Sequence, residues 1–366
     1  MAEATVIKPD LDFVKGVIAS GGESLKKCFQ CATCSVVCNV TPDNNPFPRK
    51  EMVWAQWGLR DKFKGNPDVW LCHQCNDCTA YCPRGAKPGE VLGAIRKQSI
   101  QQYSVPGFMS RLVNSKIFFP ILFLIPVLIL LAVSGFEIPE GEIKFTNLFS
   151  VHEIQFTFTP ALIFGFAIGI LGLMKFWKDM KQAGGVTSGN LTGSIVETAK
   201  EFLGHSRFKD CSVSRDRFLS HFLVFYGFVL LGIATAIGVL YIDFMHVESP
   251  FSLVHPVKLF GNIGAIALLL GIFLMIVNRF KNAAKVGIGS YFDWLLIFII
   301  FTIVVSGILA EVTRLADKAA LAYPIYFIHL VFVFSLFIYL PYSKLAHIFY
   351  RATAICFAKY SGREKP

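Results

Sequence analysis

Eight of the ten cysteines form two runs of identical spacing, Cys-x2-Cys-x2-Cys-x3-Cys. The first run comprises Cys28, Cys31, Cys34 and Cys38, and the second comprises Cys72, Cys75, Cys78 and Cys82. Cysteine thiolates are the usual ligands of iron–sulfur clusters. Three thiolates separated by two residues each can bind one face of a cubane cluster. The fourth cysteine, after a longer gap, points in another direction. The pattern therefore predicts two [4Fe–4S] clusters, whose chemistry is the transfer of electrons.

The fourth cysteine of each run determines how the clusters are built. The same spacing occurs in bacterial ferredoxins with two clusters, where the fourth cysteine ligates the cluster of the other run. We therefore predict a first cluster held by Cys28, Cys31, Cys34 and Cys82. The second cluster would be held by Cys72, Cys75, Cys78 and Cys38. In the alternative arrangement, each run closes its own cluster.

Two other uses of these cysteines compete with iron–sulfur ligation. A structural zinc ion takes four ligands, typically from two separated pairs. Two runs of four cysteines with identical spacing do not match that pattern. Disulfides would require an oxidising compartment and would leave the regular spacing unexplained. Iron–sulfur ligation is therefore the favoured interpretation. The two remaining cysteines, Cys211 and Cys356, are expected to be free thiols that pack like small apolar side chains.

Apolar residues are distributed unevenly along the chain. The 366 residues are 54% hydrophobic, with a mean hydropathy of +0.54, which is too apolar for a soluble protein of this length. All long apolar runs lie beyond residue 116. We therefore predict an all-α protein with a helical two-cluster head (1–110), a six-helix membrane body (111–355) and a cytoplasmic tail (356–366). The net charge of +10 is explained by basic residues facing the cytoplasm rather than by nucleic-acid binding.

Six stretches are long enough to cross a bilayer, which takes about 20 helical residues. They contain no Asp, Glu, Lys or Arg and cover 118–136, 154–174, 222–242, 259–278, 294–310 and 319–343. Lysines and arginines concentrate in the second-to-third and fourth-to-fifth connections, as in cytoplasmic loops. Both termini and the head are therefore predicted on the cytoplasmic side of the inner membrane.

Histidines at membrane depth are candidates for function, because ionisable residues there are rare. His221 precedes the third stretch, His329 lies inside the sixth, and His347 follows beyond it. If the sixth helix continued through His347, the last two would share one face, about 27 Å apart. Neutral imidazole is a common axial ligand of haem iron, so the pattern predicts two b haems. In the alternative, His329 is only hydrogen-bonded within the bundle and His347 is interfacial.

The ligands divide by depth. His221 and His347 both lie at the cytoplasmic end and are predicted to share one haem. His329 needs a partner nearer the outer surface, and we choose His255, which stands just before the fourth stretch. The other candidates are His246 and His152.

A quinone needs an apolar slot with a few polar groups that handle its protons. Such groups cluster at the outer ends of the third and fourth stretches, at His246, Glu248, His255 and Lys258. We predict quinone binding there, with His246 and Lys258 as contacts. The alternative is a pocket at the cytoplasmic end near His205, Lys209 and His221.

Taken together, these features resemble a known family. The head resembles the small iron–sulfur subunit of heterodisulfide reductases. The body is similar to the haem b subunit of those enzymes and to the gamma subunit of respiratory nitrate reductase, with His221, His329 and His347 at matching positions. The fusion resembles the membrane subunit of the quinone-interacting membrane-bound oxidoreductase complex of sulfate reducers. Two departures are Asn39 in place of a proline and the absence of a second haem ligand on the helix of His221.

The resemblance implies an oxidoreductase subunit in respiratory electron transfer. Electrons would pass from menaquinol through two b haems and two clusters to soluble flavin- and iron–sulfur-containing subunits related to heterodisulfide reductase. From there they would travel towards adenylylsulfate reductase. One alternative is a heterodisulfide-reductase-type membrane subunit with another acceptor. In a different class, the chain would be a transporter with a regulatory cluster domain, but such folds usually show internal repeats, and we find none in the sequence.

Overall fold

The computed structural model describes residues 8–134, 137–184, 189–210, 217–283 and 288–363. Within these ranges the chain is helical and contains no β-strand, so the predicted all-α class is confirmed. Cys356 is a free, buried cysteine, as predicted. Cys211 lies outside the described residues.

Short helices joined by tight turns build the head. Asp10 caps the first helix, because its Oδ1 accepts a hydrogen bond from the Phe13 N–H at 2.8 Å. Pro88 opens the longest helix of the head as its first residue, where its missing N–H costs nothing. In the described part of the head, the α-helices are α1 (Leu11–Ala19), α2 (Thr33–Val36), α3 (Arg49–Gln56), α4 (Asp68–Leu71), α5 (Asp77–Ala80), α6 (Pro88–Tyr103) and α7 (Gly107–Val113).

The membrane body contains six helices long and apolar enough to cross a bilayer, as predicted. Many of their apolar side chains are exposed, as contact with lipid requires; Ile163, Ile266 and Phe273 are examples. The described helices beyond the head are α8 (Phe119–Ser134), α9 (Val151–Gly184), α10 (Leu191–Gly204), α11 (Arg217–Val239), α12 (Pro256–Lys281), α13 (Tyr291–Leu315), α14 (Ala319–Tyr339) and α15 (His347–Tyr360). Helices α10 and α15 are not among the six spans. The side of the membrane on which the head lies stays a prediction.

The sixth membrane helix ends earlier than the sequence predicts. A continuous helix through His329 and His347 is expected, but α14 stops before Pro341. Proline has no N–H to continue the helical hydrogen bonds, and its ring obstructs the preceding turn. The chain instead forms two 3₁₀ turns, Leu340–Tyr342 and Lys344–Ala346, and α15 then begins at His347. The prediction that both histidines share one helix is therefore wrong.

Helix α15 returns to the head and completes its hydrophobic core. Trp70 of α4 is fully buried and stacks on Tyr350 of α15, with ring centroids 5.3 Å apart. Phe176 of α9 packs against both rings, and Ile355 and Phe357 are buried in the same cluster. The head and the membrane body therefore share one core. The boundary predicted at residue 355 falls inside α15.

Two carboxylates near this contact, those of Glu51 and Asp68, are fully buried. Asp68 receives two hydrogen bonds from Arg363, which follows α15, and pairs with Lys50 Nζ at 2.5 Å. Neither side-chain oxygen of the neighbouring Glu51 has a hydrogen-bond partner among the described residues. Burial, and then the charge of Asp68, raises the pKa of Glu51 to about 8. Glu51 is therefore protonated in the folded protein near neutral pH.

Glu51 should make stability depend on pH. An unfolded glutamate loses its proton near its ordinary pKa of 4.5, whereas the folded one keeps it to about 8. The unfolded state thus binds fewer protons in this window, so stability falls as pH rises through it. We expect Glu51→Gln to unfold at a higher temperature than the wild type at pH 8.5, with a smaller difference at pH 5. Glu23→Gln, at an exposed residue, is the control. An equal difference at both pH values would contradict the assignment.

Candidate metal centres

The two cysteine runs adopt the same backbone conformation. Gln30 and Gln74, two residues after the first cysteine of each run, have φ of 60° and 57°. Ala32 and Asn76, two residues further on, have φ of 70° and 66°. These left-handed residues turn the chain sharply twice before a one-turn helix, α2 or α5, begins. Each run therefore coils around a centre instead of extending.

Backbone N–H groups point at the thiols inside these loops. The Gln30 N–H donates to Cys28 Sγ at 3.4 Å, and the Gln74 N–H donates to Cys72 Sγ at 3.3 Å. Hydrogen bonds to cysteine sulfur help to set the potential of an iron–sulfur cluster. The loops thus provide both the ligands and the donors that a cluster uses.

The fourth cysteine of each run lies with the other run. Cys38 lines one cavity together with Cys72, Cys75 and Cys78. In the same way, Cys82 lies within electrostatic range of Cys28 and Cys34. This is the grouping that crossed ligation requires. The ligand assignment itself stays a prediction.

Burial differs between the two groups of cysteines. Cys31 is exposed, and its neighbours Phe29 and Val36 are 67% and 83% exposed. In the other group, Cys72 and Cys78 are buried. Cys34 of the first group is buried as well, so the two sites differ chiefly at Cys31, which places the first cluster site nearer the surface of the head.

Aromatic rings connect the second run to the membrane body. His73, between Cys72 and Gln74, is buried, and its ring meets Phe208 edge-on at 4.2 Å. Phe208 in turn lies 5.2 Å from the ring of His221 at the start of α11. Burial, and then the charge of Arg351, lowers the pKa of His73 well below its usual range, so this ring is neutral.

The two histidines predicted to share one haem each use Nδ1 in a hydrogen bond. His221 Nδ1 lies 3.1 Å from His205 Nε2, and His347 Nδ1 donates to the Lys344 carbonyl. Burial lowers the pKa of His347 well below its usual range, which keeps the imidazole neutral. A hydrogen bond at Nδ1 fixes the tautomer and leaves Nε2 for iron. The alternative pocket at the cytoplasmic end placed His205 near His221, and the structure brings the two rings into direct contact.

His329 shows the same arrangement deeper in the bundle. Its Nδ1 lies 2.9 Å from the Ile303 carbonyl and 3.2 Å from Ser306 Oγ on α13. The ring packs where Gly307 has no side chain, since a Cβ there would lie 3.0 Å from His329 Cε1. These contacts are those expected of a hydrogen-bonded histidine in a helix bundle, and they also leave Nε2 available for iron.

The residues predicted at the outer end have different roles. His255 caps α12, because its Nδ1 accepts from the Val257 N–H at 3.3 Å. A neutral imidazole that accepts at Nδ1 carries its proton on Nε2, so iron ligation would have to break this cap. Lys258 pairs with Glu311 of α13 at 3.1 Å, a contact the sequence did not predict. His246 lies in the exposed turn after α11.

Residues 24–86 match the family described as a 4Fe-4S dicluster domain, which favours iron–sulfur clusters over zinc or disulfides. Together with the six spans, this match defines a membrane electron-transfer protein with iron–sulfur clusters. Residues 149–365, more than half of the chain, match the family described as Citrate utilization protein B. The chain belongs to that family.

One relative matches nearly the whole chain, and two others match only the head. Citrate utilization protein B of Escherichia coli is 26% identical over 356 residues, covering 90% of this chain and 89% of the relative. A protein of Archaeoglobus profundus, named for its likeness to a heterodisulfide reductase subunit, is 35% identical over 86 residues, covering 23% and 46%. One subunit of the H(2):CoB-CoM heterodisulfide,ferredoxin reductase of Methanothermobacter marburgensis is 32% identical over 102 residues, covering 28% and 52%.

This chain spans about half the length of these heterodisulfide reductase relatives. No solved structure matches the chain. The predicted resemblance of the head to the small iron–sulfur subunit is confirmed over the matched residues. The likeness of the body to haem b subunits, and of the fusion to the quinone-interacting complex, stays a prediction.

Crossed ligation can be tested with four cysteine variants. We expect Cys38→Ser to perturb the same EPR signal as Cys75→Ser, because both would ligate the second cluster. Cys82→Ser should perturb the same signal as Cys31→Ser. The measurement is low-temperature EPR of the reduced full chain. If Cys38→Ser instead reproduces the spectrum of Cys31→Ser, each run closes its own cluster.

Proposed function

We propose that the chain carries electrons between a quinone in the membrane and soluble partners, through two b haems and the two [4Fe–4S] clusters. The observation that carries this proposal is the ring contact from His73 through Phe208 to His221. It joins the second cysteine run to a histidine suited to haem ligation. When bound, the cofactors supply the one-electron chemistry, and the protein supplies ligation and spacing.

The haem assignment rests on the free Nε2 atoms. His221 and His347 lie within electrostatic range of each other and would hold the inner haem. His329 would hold the outer haem, with His255 as the proposed partner, which would ligate only after giving up its cap of α12. The head, both termini and the inner haem would lie on the cytoplasmic side.

Quinone would bind near the outer haem. The ion pair of Lys258 and Glu311 joins the start of α12 to the end of α13. With the head on the cytoplasmic side, these helix ends would face outward, and the carboxylate there would receive a quinol proton. Menaquinol oxidised there would release protons outside and pass electrons inward. His246 is proposed as a second contact.

The partners would dock at the first cluster. Around Cys31, the exposed side chains of Phe29, Val36 and Tyr81 offer apolar contact, and Lys26 and Lys27 add positive charge. Such a surface suits a soluble flavin- or iron–sulfur-containing subunit with an acidic face. Two destinations are proposed for the electrons. The first is adenylylsulfate reductase, through subunits related to heterodisulfide reductase. The second is a partner in citrate utilization, favoured by the relative that matches along nearly the whole chain.

A reduced-minus-oxidised spectrum tests the haems. We expect a b-type band from the purified chain, partly lost in both His221→Ala and His347→Ala because they would share one iron. His329→Ala should lose the remaining part, and His255→Ala should lose the same part. His246→Ala and His152→Ala, which remove the other two candidate partners of His329, should leave the band unchanged. A wild-type spectrum without a b-type band would overturn the haem proposal.

Quinol-driven reduction tests the position of the quinone site. In vesicles, we expect Lys258→Ala to slow haem reduction by a menaquinol analogue at least tenfold, because the protonable pair with Glu311 is lost. Lys318→Ala, at an exposed lysine near the same end, is the matched control. A block in Lys209→Ala, with Lys258→Ala unaffected, would move the site to the inner end.

A further inference from the structure

Four arginines from separate parts of the chain converge on residues 69–74, which include the start of the second cysteine run. We call this group the arginine shell. One comes from α6, one from the turn after α10, one from the first residue of α11 and one from α15; they are Arg96, Arg207, Arg217 and Arg351.

Two members of the shell contact the loop at Cys72 and His73. Arg96 is buried and donates to the carbonyls of Val69 and Cys72. Arg351 donates from Nη2 to His73 Nδ1 at 2.9 Å. Both guanidinium groups act electrostatically on the thiol of Cys72.

The other two members contact neighbouring carbonyls. Arg207 Nη1 donates to the Leu71 carbonyl at 3.2 Å, and Arg217 Nη1 donates to the Gln74 carbonyl at 2.6 Å. Arg207 is also paired with Glu201, so part of its charge is offset.

The first cysteine run offers a matched comparison with less charge. Its carbonyl at Cys28 accepts from the neutral amide of Gln56 at 2.9 Å, where the second run has Arg96. Its carbonyl at Gln30 accepts from Arg49, in an exposed hydrogen bond. At the position of His73 it has Phe29, which is exposed. The two loops share one backbone conformation, so the difference lies in the surrounding charge.

Two members of the shell, Arg96 and Arg351, have no carboxylate ion pair in the described part of the chain. Among the described residues, Arg351 Nε also has no hydrogen-bond partner. Burying a charge without a counter-charge is costly. The Cys72 thiolate would be an anion within electrostatic range of both guanidinium groups, and a further electron on the second cluster would be attracted more strongly still.

We propose that the arginine shell gives the second cluster a higher reduction potential than the first. The proposal rests on the cluster assignment of the proposed function. Arg96 and Arg351 stabilise an added negative charge in a region of low dielectric, where Coulomb interactions are strong. The first cluster site lies nearer the surface, so water and salt screen Arg49 and Arg84 near it. A single electron arriving from the haem side or from a soluble donor therefore settles on the second cluster, and its donor is oxidised by one electron.

A redox titration of the full chain in detergent, followed by EPR, tests this ordering. In the wild type, we expect the signal lost in Cys75→Ser to appear at a higher potential than the signal lost in Cys31→Ser. Arg351→Gln should lower the potential of the second cluster by at least the equivalent of a tenfold change in its reduced-to-oxidised ratio, ~59 mV for one electron. Arg351→Lys keeps the positive charge, so the potential of its second cluster should stay close to the wild-type value.

Two further variants separate charge from folding. Arg49→Gln removes the matching donor of the first run and should leave the second cluster unchanged. Arg96→Gln replaces the arginine with the residue type that serves the first run, and it should also lower the potential of the second cluster. Equal potentials in the wild type, or an unchanged second cluster in both Arg351→Gln and Arg96→Gln, would overturn the inference and leave the proposed function intact. Absence of both cluster signals would overturn both.

Discussion

A cation buried away from water needs an opposite charge nearby, and this requirement links the head to the membrane body. Arginines from α6, α11 and α15 meet at one loop of the head. Helices α11 and α15 also carry the residues proposed to hold the inner haem. The position of the head on the body is therefore fixed by electrostatics at the point where electrons would cross, and Trp70 packing on Tyr350 adds an apolar contact beside it.

Features that depend on composition or local spacing were predictable from the sequence. The cysteine runs, the six spans, Pro88 at a helix start and the absence of strands in the described residues follow from spacing, length and proline chemistry. The break before α15 was not predicted, although Pro341 marks it, because membrane helices tolerate proline and α14 itself continues through Pro324. A contact such as Lys258 with Glu311 joins segments that no sequence periodicity relates.

The relatives show that the two halves of the chain occur in different contexts. The head alone resembles subunits of heterodisulfide reductases, whereas the whole chain resembles Citrate utilization protein B. A dicluster head on a helical body suits electron transfer in either context. The soluble partner would then be determined by what docks on the exposed side of the head, where Phe29 and Val36 lie, and not by the helical fold of the body.

The place of α15 in the head core has a consequence for biogenesis. The head is synthesised first, but Trp70 is covered by side chains from α9 and from the last helix of the chain. The core of the nascent head therefore stays incomplete until the six described spans have been synthesised and α15 packs against it. Arg351, on that same last helix, also reaches the second cysteine run only then. Completion of this cofactor site thus requires α15, which is synthesised after the six described spans.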